Sequence, residues 1–322
     1  MVRIRDFIET SEGLIFSSVS YFHPRDKYCA YLRYYPDKRG DRGFKDKRYM
    51  KVTSTAEAEK YLMRNYPVYI NASGQCVPRE RAVRIYRPET RLREILAHPR
   101  DALEEKIRTL NKVFADIPEE KKGVTGSLLL GLHLPDSDID FVVYGLENHR
   151  RARLTLKKLF EEAGDYGVRD LTDEEWRRVY EKRFPREKTL SYKEFLWHER
   201  RKYHRGVIDG TIIDILLVRE PVEFRSPGDA WVVERGVSVR CRVVDAALAF
   251  DSPAVYTVAL ENGTMGELYS YTHTYAGQAF PGEVVEVRGV LEMTSNGQPR
   301  IVVGTTREAE GEYIKVIYSE NI

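Results

Sequence analysis

Apolar and polar residues change their spacing twice along this chain, from a period of two to a helical period and back. Segments 13–21 and 28–35 mix β-branched and aromatic residues with polar ones, the mark of strands, with His23-Pro24-Arg25-Asp26 as the turn between them. A charged loop, DKRGDRGFKDKR, precedes a third predicted strand at 49–52. Thr53-Ser54-Thr55 followed by Ala56-Glu57-Ala58-Glu59 starts a helix that Pro67 ends. Residues 78–90 contain two prolines and read as a connector. Pro99-Arg100-Asp101 opens a helix whose Leu103, Ile107, Leu110, Val113 and Phe114 form one apolar stripe. Further helices are predicted at 149–163, 170–183 and 192–205, the last two highly charged. Phe141-Val142-Val143-Tyr144 and the run 211–218 have the composition of buried strands. Glu220-Pro221 and Ser226-Pro227-Gly228 mark a linker. Strands are then predicted at 236–246, 255–261, 283–292, 300–305 and 313–318, enough for a small β-barrel.

At 322 residues the chain can hold two or three cores. The pattern divides it into a β-rich α+β module at 1–87, an α/β (α+β) core at 88–224 and an all-β small barrel at 225–322. Hydrophobic residues at 42% and charged residues at 32% predict a soluble globular protein. No apolar run approaches the roughly eighteen residues that span a bilayer, and MVRIRDFIET lacks the apolar core of a signal peptide. Cys29, Cys76 and Cys241 are odd in number and lack metal-ligand spacing, which points to a reducing cytoplasm. Glutamine occurs only three times while Arg and Glu abound, a balance typical of thermophile proteins. The net charge of +2 is uneven: 1–87 hold 18 Lys and Arg against 10 Asp and Glu, whereas 225–322 hold 8 against 13. An anionic partner is therefore expected first at the N-terminal end.

The stretch 126–145, GSLLLGLHLPDSDIDFVVYG, carries the candidate chemistry. With a side-chain period of two, Asp138 and Asp140 point to one face of a strand and Ile139 to the other. Two carboxylates on one face repel each other, and desolvating them is costly unless a cation lies between them. Oxygen-only ligands suit Mg²⁺ or Mn²⁺. Gly126 lets the backbone approach a phosphate, and Ser127 with the local amides can hold it. Asp214 is a single carboxylate inside the apolar run TIIDILLV, hard to explain by packing. The competing reading of PDSD is a polar turn before an ordinary strand. Asp209, before a glycine, reads better as a turn residue.

A Gly-Ser turn, a D-x-D strand and one more acid on a later strand resemble the signature of the DNA polymerase β-like nucleotidyltransferase superfamily. That resemblance spans about 123–218 and implies a metal-dependent nucleotidyltransferase using an NTP. Asp138 and Asp140 would hold two Mg²⁺ (or Mn²⁺) ions. Asp214 would complete the site and help deprotonate an acceptor hydroxyl, and Gly126 and Ser127 would position the triphosphate. Many relatives follow the Gly-Ser with a small residue and an arginine; this chain has Leu128-Leu129-Leu130. Arg201, Lys202 and Arg205 are candidate replacements at the triphosphate, the alternative being a solvated helix face. His198 and His204, six apart, show no zinc spacing. The segment 282–291 looks like the fourth strand of an OB-fold, though a generic small barrel fits nearly as well. Ten of the 21 tyrosines lie among the basic residues of 1–87, a combination that binds single-stranded nucleic acid or simply packs a sheet. RNA or another nucleic acid is the expected acceptor. A protein or small-molecule hydroxyl, or a non-catalytic scaffold, are the alternatives.

Overall fold

A computed structural model describes residues 1–44, 46–71, 74–162, 165–185, 187–306 and 309–317. The expected ends of a helix at Ala163 and of a strand at Tyr318 lie outside the described residues. The chain forms a mixed α+β structure in two compact units, Met1–Asp170 with His204–Phe224, and Leu171–Tyr203 with Arg225–Ile322. Residues 1–87 thus share a unit with the core, and 171–203 group with the C-terminal strands.

The first unit begins with β1 (Phe7–Thr10), β2 (Ile15–Ser18), β3 (Lys27–Pro36), β4 (Arg42–Phe44), β5 (Lys47–Lys51), α1 (Thr55–Asn65), β6 (Ile70–Asn71), β7 (Gly74–Pro78) and β8 (Ala82–Tyr86). The main sheet order is β4-β5-β3-β2-β1-β8, and β7 pairs with β3 and β6. Alternation buries both faces of this sheet. Ile8, Phe16 and Leu32 pack with Ala58 and Leu62 of α1, while Phe7, Ile15, Tyr34, Tyr49 and Tyr86 point to the opposite side. Ser54 caps α1 by accepting from the Glu57 N–H.

The segment expected as a connector holds β8 and the start of α2 (Pro88–Ala97). Pro88 lies in the first turn, where its missing N–H leaves no helical bond unmade, so it starts a helix here. There follow α3 (Ala102–Val113), β9 (Lys122–Val124), α4 (Gly126–Leu130), β10 (Ile139–Tyr144), α5 (Leu146–Glu162) and β11 (Val168–Arg169). After α6 (Asp173–Arg183) and α7 (Tyr192–Arg200) of the second unit come β12 (Arg205–Ile208) and β13 (Thr211–Val218). These strands form a sheet in the order β11-β12-β13-β10-β9, with β10 and β13 parallel.

One face of that sheet, with Ile139, Phe141, Val143, Ile213 and Ile215, is covered by the apolar stripes of α2, α3 and α5. Alternation puts Asp140, Val142 and Tyr144 of β10, and Asp214 and Val218 of β13, on the other face. There Val142, Tyr144 and Val218 pack with Ile4 and Tyr21 from the N-terminal module. Short α4 is buried on two sides: Leu128 joins the helical core, while Leu129 and Leu130 pack on Phe7, Ile15, Tyr34, Tyr49 and Tyr86. The leucines after the Gly-Ser turn are thus the seat of the N-terminal sheet.

In the second unit α6 and α7 share an aromatic cluster of Trp176, Tyr180, Phe184 and Phe195. Its strands are β14 (Ala230–Leu248), β15 (Ala254–Leu260), β16 (Met265–Ser270), β17 (Val284–Thr294), β18 (Pro299–Val303) and β19 (Tyr313–Val316). They pair in the order β14-β15-β16-β18-β17-β19, and β14 also pairs with β17. Among the described residues no helix is long and apolar enough to cross a membrane.

Leu130 is 2% exposed, so Leu130→Ala should lower stability by about 2–5 kcal/mol. A urea titration measures this, and limited proteolysis should show earlier cleavage within 1–87.

Candidate active site

Asp140 on β10 and Asp214 on β13 are direct partners across the parallel pair. Asp138 lies one residue before β10 begins, and its charge acts on Asp140. The Gly-Ser turn reaches the same place through β9, since the Thr125 N–H donates to the Asp140 carbonyl at 3.0 Å. Gly126, at φ +66°, opens α4 directly against the Asp140 side chain, and a Cβ added there would overlap Oδ2. Both the left-handed backbone and the close approach require glycine.

Burial pushes the Asp140 carboxyl above its ordinary range, and the charges of Asp214 and Asp138 add to that; Arg5 and Arg33 oppose it. Both arginines come from the N-terminal module. Arg5 is fixed by its backbone, at φ +76°, with its carbonyl accepting from the Thr125 hydroxyl at 2.8 Å. Nothing local in the sequence singles these two out; only the basic excess of 1–87 pointed to their module.

Arg205, expected on a helix at the triphosphate, is instead the first residue of β12 and the cross-strand partner of Asp214. Its Nε and Nη2 donate to the two Asp214 oxygens at 2.6 and 3.1 Å, with the arginine side chain 4% exposed. Such a forked pair fixes the carboxylate in orientation.

Residues 101–224 match the nucleotidyltransferase domain family. An uncharacterized protein of Methanocaldococcus jannaschii is 42% identical over 340 residues, covering 98% of this chain and 99% of the relative. The chain belongs to the nucleotidyltransferase family. No solved structure matches it. The enzyme is therefore a nucleotidyltransferase, consistent with a member of the polymerase β-like superfamily.

Two of the expected nucleotide ligands of this nucleotidyltransferase have partners within the second unit. Arg201 and Lys202 belong to the second unit. Arg201 pairs with Glu283, donates to the Gln278 carbonyl and lies 4.1 Å from the Trp197 ring centroid. Lys202 is fully buried, bonded to Glu199 and to the Thr274 carbonyl. Their charges are neutralised within that unit. His198 is buried there as well, its Nε2 accepting from the Val316 N–H, and burial drives it down to about 3.

The nucleotidyltransferase family typically uses a divalent metal. Among the described residues, Asp101, Glu104 and His133 form a group that could hold a cation, their ligand atoms lying within 4.8 Å of one another. Sequence reasoning missed it because His133 is far from the α3 cap in the chain. Its members already have partners. Asp101 caps α3 and bonds His133 Nε2 at 2.8 Å, while fully buried Glu104 accepts from Arg91 and Arg100. A cation there would compete with two guanidiniums.

Gly126→Ala should reduce transfer by roughly 100-fold by displacing Asp140, with an unchanged circular dichroism spectrum; near-normal turnover would refute the contact. Glu104→Ala leaves Arg91 and Arg100 without their buried counter-charge and should cost about 3–5 kcal/mol. Denaturant titration measures that loss, and Mn²⁺ binding followed by electron paramagnetic resonance should remain unchanged.

Proposed function

We propose that the enzyme transfers a nucleoside monophosphate from an NTP to a hydroxyl at an RNA end, with Mg²⁺ or Mn²⁺ held by Asp138, Asp140 and Asp214 in a two-metal site. The observation that carries this reading is the in-register pair Asp140–Asp214 with Gly126 against the Asp140 carboxylate, inside a matched nucleotidyltransferase domain. The residues suit such a cation. The charges of Asp214 and Asp138 both act on Asp140, the donor set is all oxygen, and Asp140 is shifted as an under-compensated carboxylate would be. Bound metal supplies charge neutralisation on the reacting phosphate and the departing pyrophosphate. Arg205 uses two of the roughly four lone-pair positions of Asp214, leaving capacity for a metal.

The chain's own groups do the rest. Gly126 and Ser127 hold the triphosphate, and Arg5 and Arg33 supply the positive charge that Leu128-Leu129-Leu130 cannot. In the transfer the acceptor oxygen bonds to the α-phosphorus as the bond from that phosphorus to the β-bridging oxygen breaks. The hydroxyl proton passes toward Asp214 and pyrophosphate leaves.

The RNA acceptor is supported by the basic, tyrosine-rich N-terminal module. Tyr35 and Tyr61 stack there at 3.9 Å, and Arg79 lies 4.4 Å over the Tyr28 ring. The C-terminal strands support an OB-like reading, since pairing runs β14-β15-β16-β18-β17 and returns to β14, with β16–β18 parallel. Three free thiols fit a cytoplasmic enzyme.

Each labelled NTP is incubated with Mg²⁺ or Mn²⁺ and either total RNA or a protein extract. Label should enter RNA, and Asp138→Ala and Asp140→Ala should each abolish transfer in folded protein. Label on protein would reassign the acceptor. Absence of both transfer and pyrophosphate release with either metal would overturn the reading.

A further inference from the structure

A cleft of about 270 Å³ opens between β8, α2 and the end of α4, lined by Arg84, Arg87, Arg91 and Arg100 together with Tyr86 and Thr90. Glu94 is the acidic residue in its wall. The other carboxylates that fix these arginines lie behind it: Glu104 and Asp6 are both fully buried. Arg91 is pinned by Glu104, by Glu94 at 3.1 Å and by the Leu128 carbonyl at 3.1 Å, and Arg100 by Glu104. Arg87 is 3.6 Å from Asp6. Arg84 is exposed and lies 4.7 Å over the Tyr86 ring, with no ion-pair partner among the described residues. Glu9, opposite Arg84 across β1–β8, accepts from the Tyr86 hydroxyl at 2.5 Å. A ligand entering the cleft therefore meets the exposed Arg84, whose guanidinium can donate to a phosphate, beside arginines held in place by carboxylates.

The cleft adjoins the catalytic carboxylates through one short element. Gly126 at the start of α4 touches Asp140, and Gly131, its C-cap at φ +69°, lies at the cleft. A Cβ on Gly131 would come within 3.1 Å of Arg100 Nη2, so this glycine leaves room for the guanidinium. Five residues at about 1.5 Å each separate the two ends by about 7–8 Å, roughly two nucleotides of a strand rising about 3.4 Å per residue.

We infer that this cleft holds a backbone phosphate of the acceptor RNA strand, a few nucleotides from the hydroxyl that reacts at Asp140. The assignment rests on the RNA-acceptor reading above. Binding of a fluorescent oligoribonucleotide to the full chain is measured by anisotropy over a salt series for wild type, Arg84→Ala and Arg84→Glu, beside ATP affinity and circular dichroism. Arg84→Glu should weaken RNA binding about tenfold or more, and Arg84→Ala should lower the salt slope by about one, with ATP affinity unchanged. Wild-type RNA affinity in folded Arg84→Glu overturns the cleft while leaving the acceptor reading intact. Loss of ATP affinity with RNA binding intact assigns the cleft to a nucleotide and also overturns the proposal. A wild-type chain that neither binds nor labels RNA removes the acceptor reading and this inference together.

Discussion

The Asp140 carboxylate is the constraint around which the first unit is arranged. It lies on an apolar strand, in register with Asp214 and two residues after Asp138, where unpaired charge costs several kcal/mol. Each neighbour responds to that cost. Arg5 and Arg33 oppose the accumulated negative charge, Arg205 neutralises and orients Asp214, and residue 126 has no side chain because the carboxylate occupies its space. Of the two cations that act on Asp140, Arg5 lies in the turn before β1 and Arg33 on β3 of the N-terminal sheet. That sheet is therefore part of the catalytic unit by electrostatics as well as by packing.

Packing accounts for the three leucines that follow the Gly-Ser turn. Leu128 faces the helical core, and Leu129 and Leu130 face the underside of the N-terminal sheet. With apolar surface on two sides, α4 offers no dry position for a guanidinium without a counter-charge. The same N-terminal module supplies Arg5 and Arg33, whose charges act on Asp140.

Local periodicity made some of this legible. The α3 stripe, β10, β13 and the spacing of the three acids all follow from residues close together in sequence. What stayed hidden depends on partners far along the chain. Glu283, which pairs with Arg201, is 82 residues away, so Arg201 showed only its charge. The run HERRKYHR has no apolar period to separate helix from turn, and Arg205 became a strand residue only through pairing with β13. Pro88 was ambiguous for a different reason, since proline both ends helices and starts them. β14 runs from Ala230, earlier than the expected 236, because its first residues pair with the far end of β17.

The contrast between Arg201 and Arg205 follows from chain connectivity. Residues 171–203 leave the catalytic sheet after β11 and return before β12, and those two strands pair with each other, Val168 opposite Ile208. The excursion is thus closed at its base by a sheet ladder, which fixes where the returning chain re-enters. Arg205 comes immediately after that return and so falls opposite Asp214 by register. Arg201 comes before it and is engaged by Glu283 of the C-terminal strands. Four residues apart, the two arginines belong to different compact units. A charge change at Arg205 acts directly on Asp214, whereas one at Arg201 first leaves Glu283 without its partner.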